Sequence, residues 1–137
     1  MELSIVISAL NEEESLKELI PWISNSLKDQ IAKYEIIIID DGSTDNTWEV
    51  VEELSKEYPV RGISFRRNYG KSAALYCGFE MAQGDIVVTM DADLQDSPQE
   101  IMPMINMIRE ERYHLVSGWK KKRHDSFFSK NLPSKLY

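Results

Sequence analysis

Asp91 and Asp93 stand two residues apart where the apolar run Val87-Val88-Thr89-Met90 stops. Side chains alternate along a strand, so two acids at this spacing can leave its carboxyl end on the same side. Carboxylates brought that close repel unless a cation lies between them. Oxygen donors of this hardness suit Mg²⁺ or Mn²⁺, ions that keep water and substrate phosphate in their remaining positions. The rival reading is a polar turn that closes a strand, because Asp is a common turn residue. A second acid pair, Asp40 and Asp41, ends the run Ile36-Ile37-Ile38-Ile39, and a polar segment at 8–12 follows a third apolar run. An acid placed like Asp41 can accept from a ribose hydroxyl or a base N–H; it can equally cap a helix ahead of Gly42.

The elements that would position these groups are readable from periodicity. A short β-rich run covers 3–8. Asn11, followed by three glutamates, reads as the N-cap of a helix to about residue 28, with Leu16, Leu19, Ile20, Ile23 and Leu27 on one stripe and Pro21 as a kink point. Four consecutive isoleucines suit a strand buried on both faces of a parallel sheet. Ser43, Thr44 or Asp45 should cap a second helix to about 58, followed by a strand at 60–65, a loop at 66–70, a third helix at 71–82 and a strand at 85–90. Ser97-Pro98-Gln99-Glu100 combines a Ser cap, a first-turn proline and a capping-box Glu for a fourth helix to about 112. A fifth strand is expected at 114–117, after which the pattern dissolves. Strand and helix thus alternate, which predicts an α/β sandwich on a mainly parallel sheet, with ligands outside the carboxyl ends of the strands.

The chain of 137 residues is the size of one domain, and 42% hydrophobic with 28% charged residues is the balance of a soluble globular protein. A formal charge of −7 argues against a nucleic-acid binder. Lys120, Lys121, Lys122 and Arg123 form a local basic cluster, either a solvated loop or a contact for phosphate or an anionic membrane. The single cysteine, Cys77, cannot form an intrachain disulfide and reads as a core thiol. No window reaches the length of a membrane span, and the start lacks a signal-peptide pattern. Neither a Gly-x-Gly-x-x-Gly nor a Walker loop is present, and the spacing after Asp91 does not fit an EF-hand.

Four segments, taken together and in order, resemble the family 2 glycosyltransferases of GT-A fold, closest to the dolichyl-phosphate mannosyltransferase and bactoprenol glucosyltransferase type. They are Ile5-Val6-Ile7-Ser8-Ala9-Leu10-Asn11-Glu12-Glu13, Ile38-Ile39-Asp40-Asp41-Gly42-Ser43-Thr44-Asp45, Arg67-Asn68-Tyr69-Gly70-Lys71 and Asp91-Ala92-Asp93-Leu94-Gln95-Asp96. The resemblance implies one GT-A domain over 1–137, truncated at its C-terminal side, with a nucleotide-binding core at 1–118 and a basic, aromatic tail at 119–137. It implies inverting transfer of a hexose from a UDP- or GDP-sugar to a polyprenyl phosphate or a glycan. Ser8, Ala9, Leu10, Asn11, Glu12, Asp40 and Asp41 would surround the nucleoside, and Lys71, Asp91, Ala92 and Asp93 would complete the donor site. Asp91, Asp93 and Gln95 would hold Mg²⁺ or Mn²⁺, and Lys120, Ser134 and Lys135 would bind phosphate. Leu10 stands where the family usually has an aromatic residue, and Lys120 where it has Arg. The catalytic base is expected beyond residue 137, so the chain should bind donor without efficient turnover. Work at the cytoplasmic face of a membrane, through peripheral contact, is implied, and a homo-oligomer is compatible. The competing class is a receiver-like signalling domain, because Asp41 and Asp91 also match the spacing of an acid pair and a phosphoacceptor.

Overall fold

A computed structural model describes residues 1–94, 97–111, 115–120 and 123–129, with the backbone alone from residue 110 onward. The described elements alternate as expected: β1 (Leu3–Ala9), α1 (Glu13–Leu27), β2 (Tyr34–Asp40), α2 (Thr47–Glu57), β3 (Val60–Ser64), α3 (Lys71–Met81), β4 (Ile86–Asp91) and α4 (Ile101–Glu111). A single 3₁₀ turn, Pro98–Glu100, leads into α4, and Ser97 Oγ accepts from the Gln99 amide at 3.3 Å. Two further strands, β5 (Leu115–Lys120) and β6 (Arg123–Ser129), close the series.

The strands form one sheet in the order β3-β2-β1-β4-β6-β5. The first four neighbours are parallel, whereas β6 runs antiparallel to both β4 and β5. The chain therefore moves outward from β1 to β2 and β3, then returns through α3 to lay β4 on the other side of β1. That reversal opens a crevice at the carboxyl ends of β1 and β4, the place where open α/β sheets bind ligands.

Alternation along the strands builds two cores. Leu3, Ile5 and Ile7 of β1, Ile36 and Ile38 of β2, and Val88 and Met90 of β4 pack with Leu16, Leu19, Ile20 and Ile23 of α1, Val50 and Val51 of α2, and Ile101 and Ile105 of α4. Val6, Ile37, Ile39 and Val87 point the other way, toward Ala74 on α3 and Ala82 just beyond it. All four isoleucines from 36 to 39 are fully buried, so β2 is covered on both faces; each contributes about 1.5–3 kcal/mol. Gly78 lets α3 lie close on the sheet, since a Cβ there would meet Val6 Cγ1 at 2.3 Å.

α1 spans Glu13–Leu27 with Pro21 inside it, as its apolar stripe predicts. Other expectations are corrected. Cys77 is a free thiol, half-buried rather than enclosed in the core, because Ala74 and Gly78 make the seat of α3. β5 extends to Lys120 instead of stopping at 117. Residues 119–120 and 123–129, expected to be unpatterned, lie in a hairpin that pairs Trp119 with His124 and Lys120 with Arg123. The charge cluster hid it: short strands with basic residues at their ends lack the apolar run that marks a central strand.

Candidate functional site

Strand parity decides which acids meet. Ser8 and Asp91 are register partners on β1 and β4, as are Ala9 and Asp40 on β1 and β2. Asp40 shares the parity of Ile36 and Ile38, the face covered by α1 and α2; Asp41 and Asp91 share the parity of Ile39 and Val87, the face covered by α3. The two neighbouring acids consequently hold different loops. Buried Asp40 accepts from the Ser43 amide at 3.0 Å, in the turn before α2. Buried Asp41 accepts from the Tyr69 amide at 2.8 Å and the Gly70 amide at 3.1 Å, in the turn before α3. Each carboxylate oxygen of Asp41 keeps a further lone pair for a ligand.

Asn11 does not cap α1. It sits at φ 55°, its amide donates to Ser43 Oγ at 2.9 Å, and its Oδ1 accepts from the Thr44 amide at 2.8 Å. Glu12 takes the cap position with no side-chain bond to the helix backbone; its Oε2 accepts from Ser15 Oγ at 2.7 Å. Similarly, Asn46 rather than residues 43–45 precedes α2, while Asp45 Oδ1 accepts from the Thr47 amide at 2.9 Å and from the Thr47 hydroxyl. Burial works against the Asp45 anion, but these donors outweigh it and hold its carboxyl below the usual value. The polar side chains thus knit the two loops to each other, an outcome local capping rules cannot anticipate.

A cleft of about 600 Å³ opens over these strand ends, lined by Ser8, Leu10, Glu12, Asp41, Asn68, Gly70, Lys71, Asp91, Ala92 and Asp93. Eight of the expected site residues are therefore brought together. Ala9 is buried in the core and Asn11 bonds the 43–45 loop, so both, with Asp40, support the walls from behind. Asn68 and Gly70 belong to the Arg67-to-Lys71 segment but were not assigned to the site individually; an asparagine two residues before a glycine at a helix start was the available signal. Lys120 closes β5, where only its backbone is described, and Gln95, Ser134 and Lys135 lie outside the described residues.

Lys71, the first residue of α3, sets its Nζ 2.6 Å from Asp91 Oδ1. The lining carries four carboxylates, Glu12, Asp41, Asp91 and Asp93, and one ammonium. Among the described residues no three His, Cys, Asp or Glu side chains gather into a metal cluster. Two carboxylates with a cation already drawn to one of them are nevertheless the donor set that suits a hard divalent ion completed by water and phosphate.

An open α/β sheet whose switch point opens on an acidic cleft defines an α/β domain arranged to bind a ligand at its strand ends. Residues 4–136 match the family described as "Glycosyl transferase family 2", and the chain belongs to that family. Among curated relatives, it is 42% identical over 131 residues to the undecaprenyl-phosphate 4-deoxy-4-formamido-L-arabinose transferase of Proteus mirabilis, covering 94% of this chain and 40% of that protein. It is 45% identical over 109 residues to the dolichol-phosphate mannosyltransferase of Pyrococcus furiosus, covering 80% and 30%. The fold matches a mannosyltransferase from Pyrobaculum calidifontis in complex with GDP-Man and Mn²⁺, with TM-score 0.78, 20% identity and coverage of 98% of this chain and 46% of the other. It also matches glucosyl-3-phosphoglycerate synthase from Mycobacterium tuberculosis in complex with UDP, with TM-score 0.68, 25% identity and coverage of 89% and 45%. The chain spans at most about two fifths of the length of these curated relatives. A receiver-like domain is set aside: its sheet runs 2-1-3-4-5, whereas here the order is β3-β2-β1-β4-β6-β5.

Proposed function

We propose that this chain is the donor-binding part of an inverting hexosyltransferase that takes a UDP- or GDP-linked sugar and passes the hexose to a polyprenyl phosphate. The observation that carries the reading is the cleft at the β1–β4 switch point, lined by Asp91, Asp93 and Lys71 together with Ser8, Leu10, Glu12 and Asp41. The nucleoside lies along the second group, with Asp41 accepting from base or ribose through its remaining lone pairs. The diphosphate lies toward Lys71, whose ammonium offsets part of its charge. Asp91 and Asp93, with Gln95, would hold Mg²⁺ or Mn²⁺, which would supply Lewis-acid neutralisation of diphosphate charge.

The names of the curated relatives, which join sugars to undecaprenyl and dolichol phosphates, support a polyprenyl phosphate acceptor over a glycan. In this reading Lys120, Ser134 and Lys135 meet the acceptor phosphate, and the full protein works by peripheral contact at the cytoplasmic face of a membrane. Among the described residues no helix is long and apolar enough to cross a membrane. The test is calorimetric titration of UDP- and GDP-hexoses into the chain with and without Mn²⁺. One base should bind preferentially and only with the metal; absence of metal-dependent binding for every sugar nucleotide overturns the proposal.

A further inference from the structure

We infer that Lys71 is the resident counter-cation of Asp91, that a divalent ion must displace it, and that the displaced ammonium then engages the diphosphate. The inference rests on the donor-binding reading above and deepens it by fixing the order of events.

Three observations lead there. The Lys71 ammonium lies 2.6 Å from Oδ1 of Asp91, one of the two acids expected to hold the metal. The Asp91 side chain is 19% exposed and that of Lys71 60%, so the pair sits at the cleft mouth with the cation on the solvent side. The backbone at this point is held independently, because Asp41 clamps the amides of Tyr69 and Gly70 immediately before Lys71. Only the side chain has to move, and a lysine has a flexible four-carbon stem for it.

Charge makes the exchange directional. Four carboxylates against one ammonium leave the lining residues at a net −3, which repels an incoming diphosphate. A single and a double positive charge about 4 Å apart repel enough, even at the dielectric of water, to disfavour joint occupancy roughly thirtyfold. Metal and ammonium therefore exclude each other at Asp91. Once the metal is in place, the freed Lys71 adds its charge to the diphosphate instead, so one substitution should move metal and nucleotide affinity in opposite directions.

The experiment counts free Mn²⁺ by electron paramagnetic resonance during titration of the chain without nucleotide, then measures UDP and GDP binding at saturating Mn²⁺. Lys71→Met should tighten Mn²⁺ binding about three- to tenfold, the repulsion being partly screened at an exposed site. It should weaken nucleotide binding by a similar factor. Lys71→Arg keeps the charge and should hold Mn²⁺ as the parent does, which separates competition from any general effect on the α3 start. Unchanged or weaker Mn²⁺ binding by Lys71→Met, with nucleotide still taken up by the parent, overturns this inference alone. Tighter Mn²⁺ with unchanged nucleotide affinity overturns its second half. Mn²⁺ bound by neither chain without nucleotide overturns this inference alone; UDP and GDP that also fail to bind at saturating Mn²⁺ overturn the donor-site reading with it.

Discussion

One residue of offset separates the jobs of Asp40 and Asp41. The first falls on the α1–α2 side of the sheet and fastens the turn into α2; the second falls on the α3 side and reaches the cleft. Asp93 lies just past the strand, on the same cleft. Replacing Asp93 with Ala should abolish the metal-dependent part of donor binding, by at least about tenfold, while unfolding free energy stays within about 0.5 kcal/mol of the parent, as for most changes outside the core. Titration with and without Mn²⁺, alongside urea unfolding, checks both halves. The acids could be picked from the sequence because period-two alternation and strand ends are local signals. The partner of Asp91 could not: Lys71 lies 20 positions earlier, and its approach depends on α3 crossing to the opposite face from α1 and α2. Asn11 misled for a related reason, since its acceptor serves a loop 33 residues away rather than its own helix.

Between elements, the loops before α2 and α3 touch at Gly42. Its φ is +77°, and a Cβ there would stand 2.3 Å from the carbonyl carbon of Arg67 and 2.5 Å from the amide nitrogen of Asn68. Gly42→Ala should therefore cost about 1–2 kcal/mol for the left-handed backbone alone, with more for displacing the 66–70 loop. Differential scanning calorimetry should show the midpoint lowered by about 5 °C or more. Nucleotide binding should weaken as well, because the displaced loop carries Asn68 and Gly70 into the cleft wall. Helices and parallel strands were legible in outline from apolar spacing. β6 was not, because its place between β4 and β5 is a matter of sheet order, which no local pattern records.

Across the whole molecule, the sheet end opposite the cleft carries its own polar knot. Buried Glu35 accepts from Ser4 Oγ at 2.6 Å, the Gln83 amide at 2.7 Å and Arg61 Nη2 at 2.7 Å, and Arg61 also donates to the Met81 carbonyl at 2.9 Å. Burial raises the Glu35 pKa, but Ser4, Gln83 and Arg61 together outweigh it, so the folded value lies below the ordinary 4.5. The unfolded chain then takes up the proton first. The stability this group contributes is complete above 4.5 and drains away as the pH falls through the lower folded value. Glu35→Gln should lose about 1–3 kcal/mol at neutral pH and flatten the acid limb of a urea midpoint-versus-pH curve; an unchanged limb would refute the assignment.

That knot grips the far end of α3, the helix whose first residue is Lys71. Ala74 and Gly78 are its buried residues and Leu75, Phe79 and Met81 pack on the sheet beside them, so α3 is a beam about 16 Å long, seated along one face and pinned at its two tips. A carboxylate on the opposite rim of the domain therefore helps to aim an ammonium it never approaches. Acid that loosens the remote anchor should blunt the cleft's hold on its ligand before the fold itself gives way.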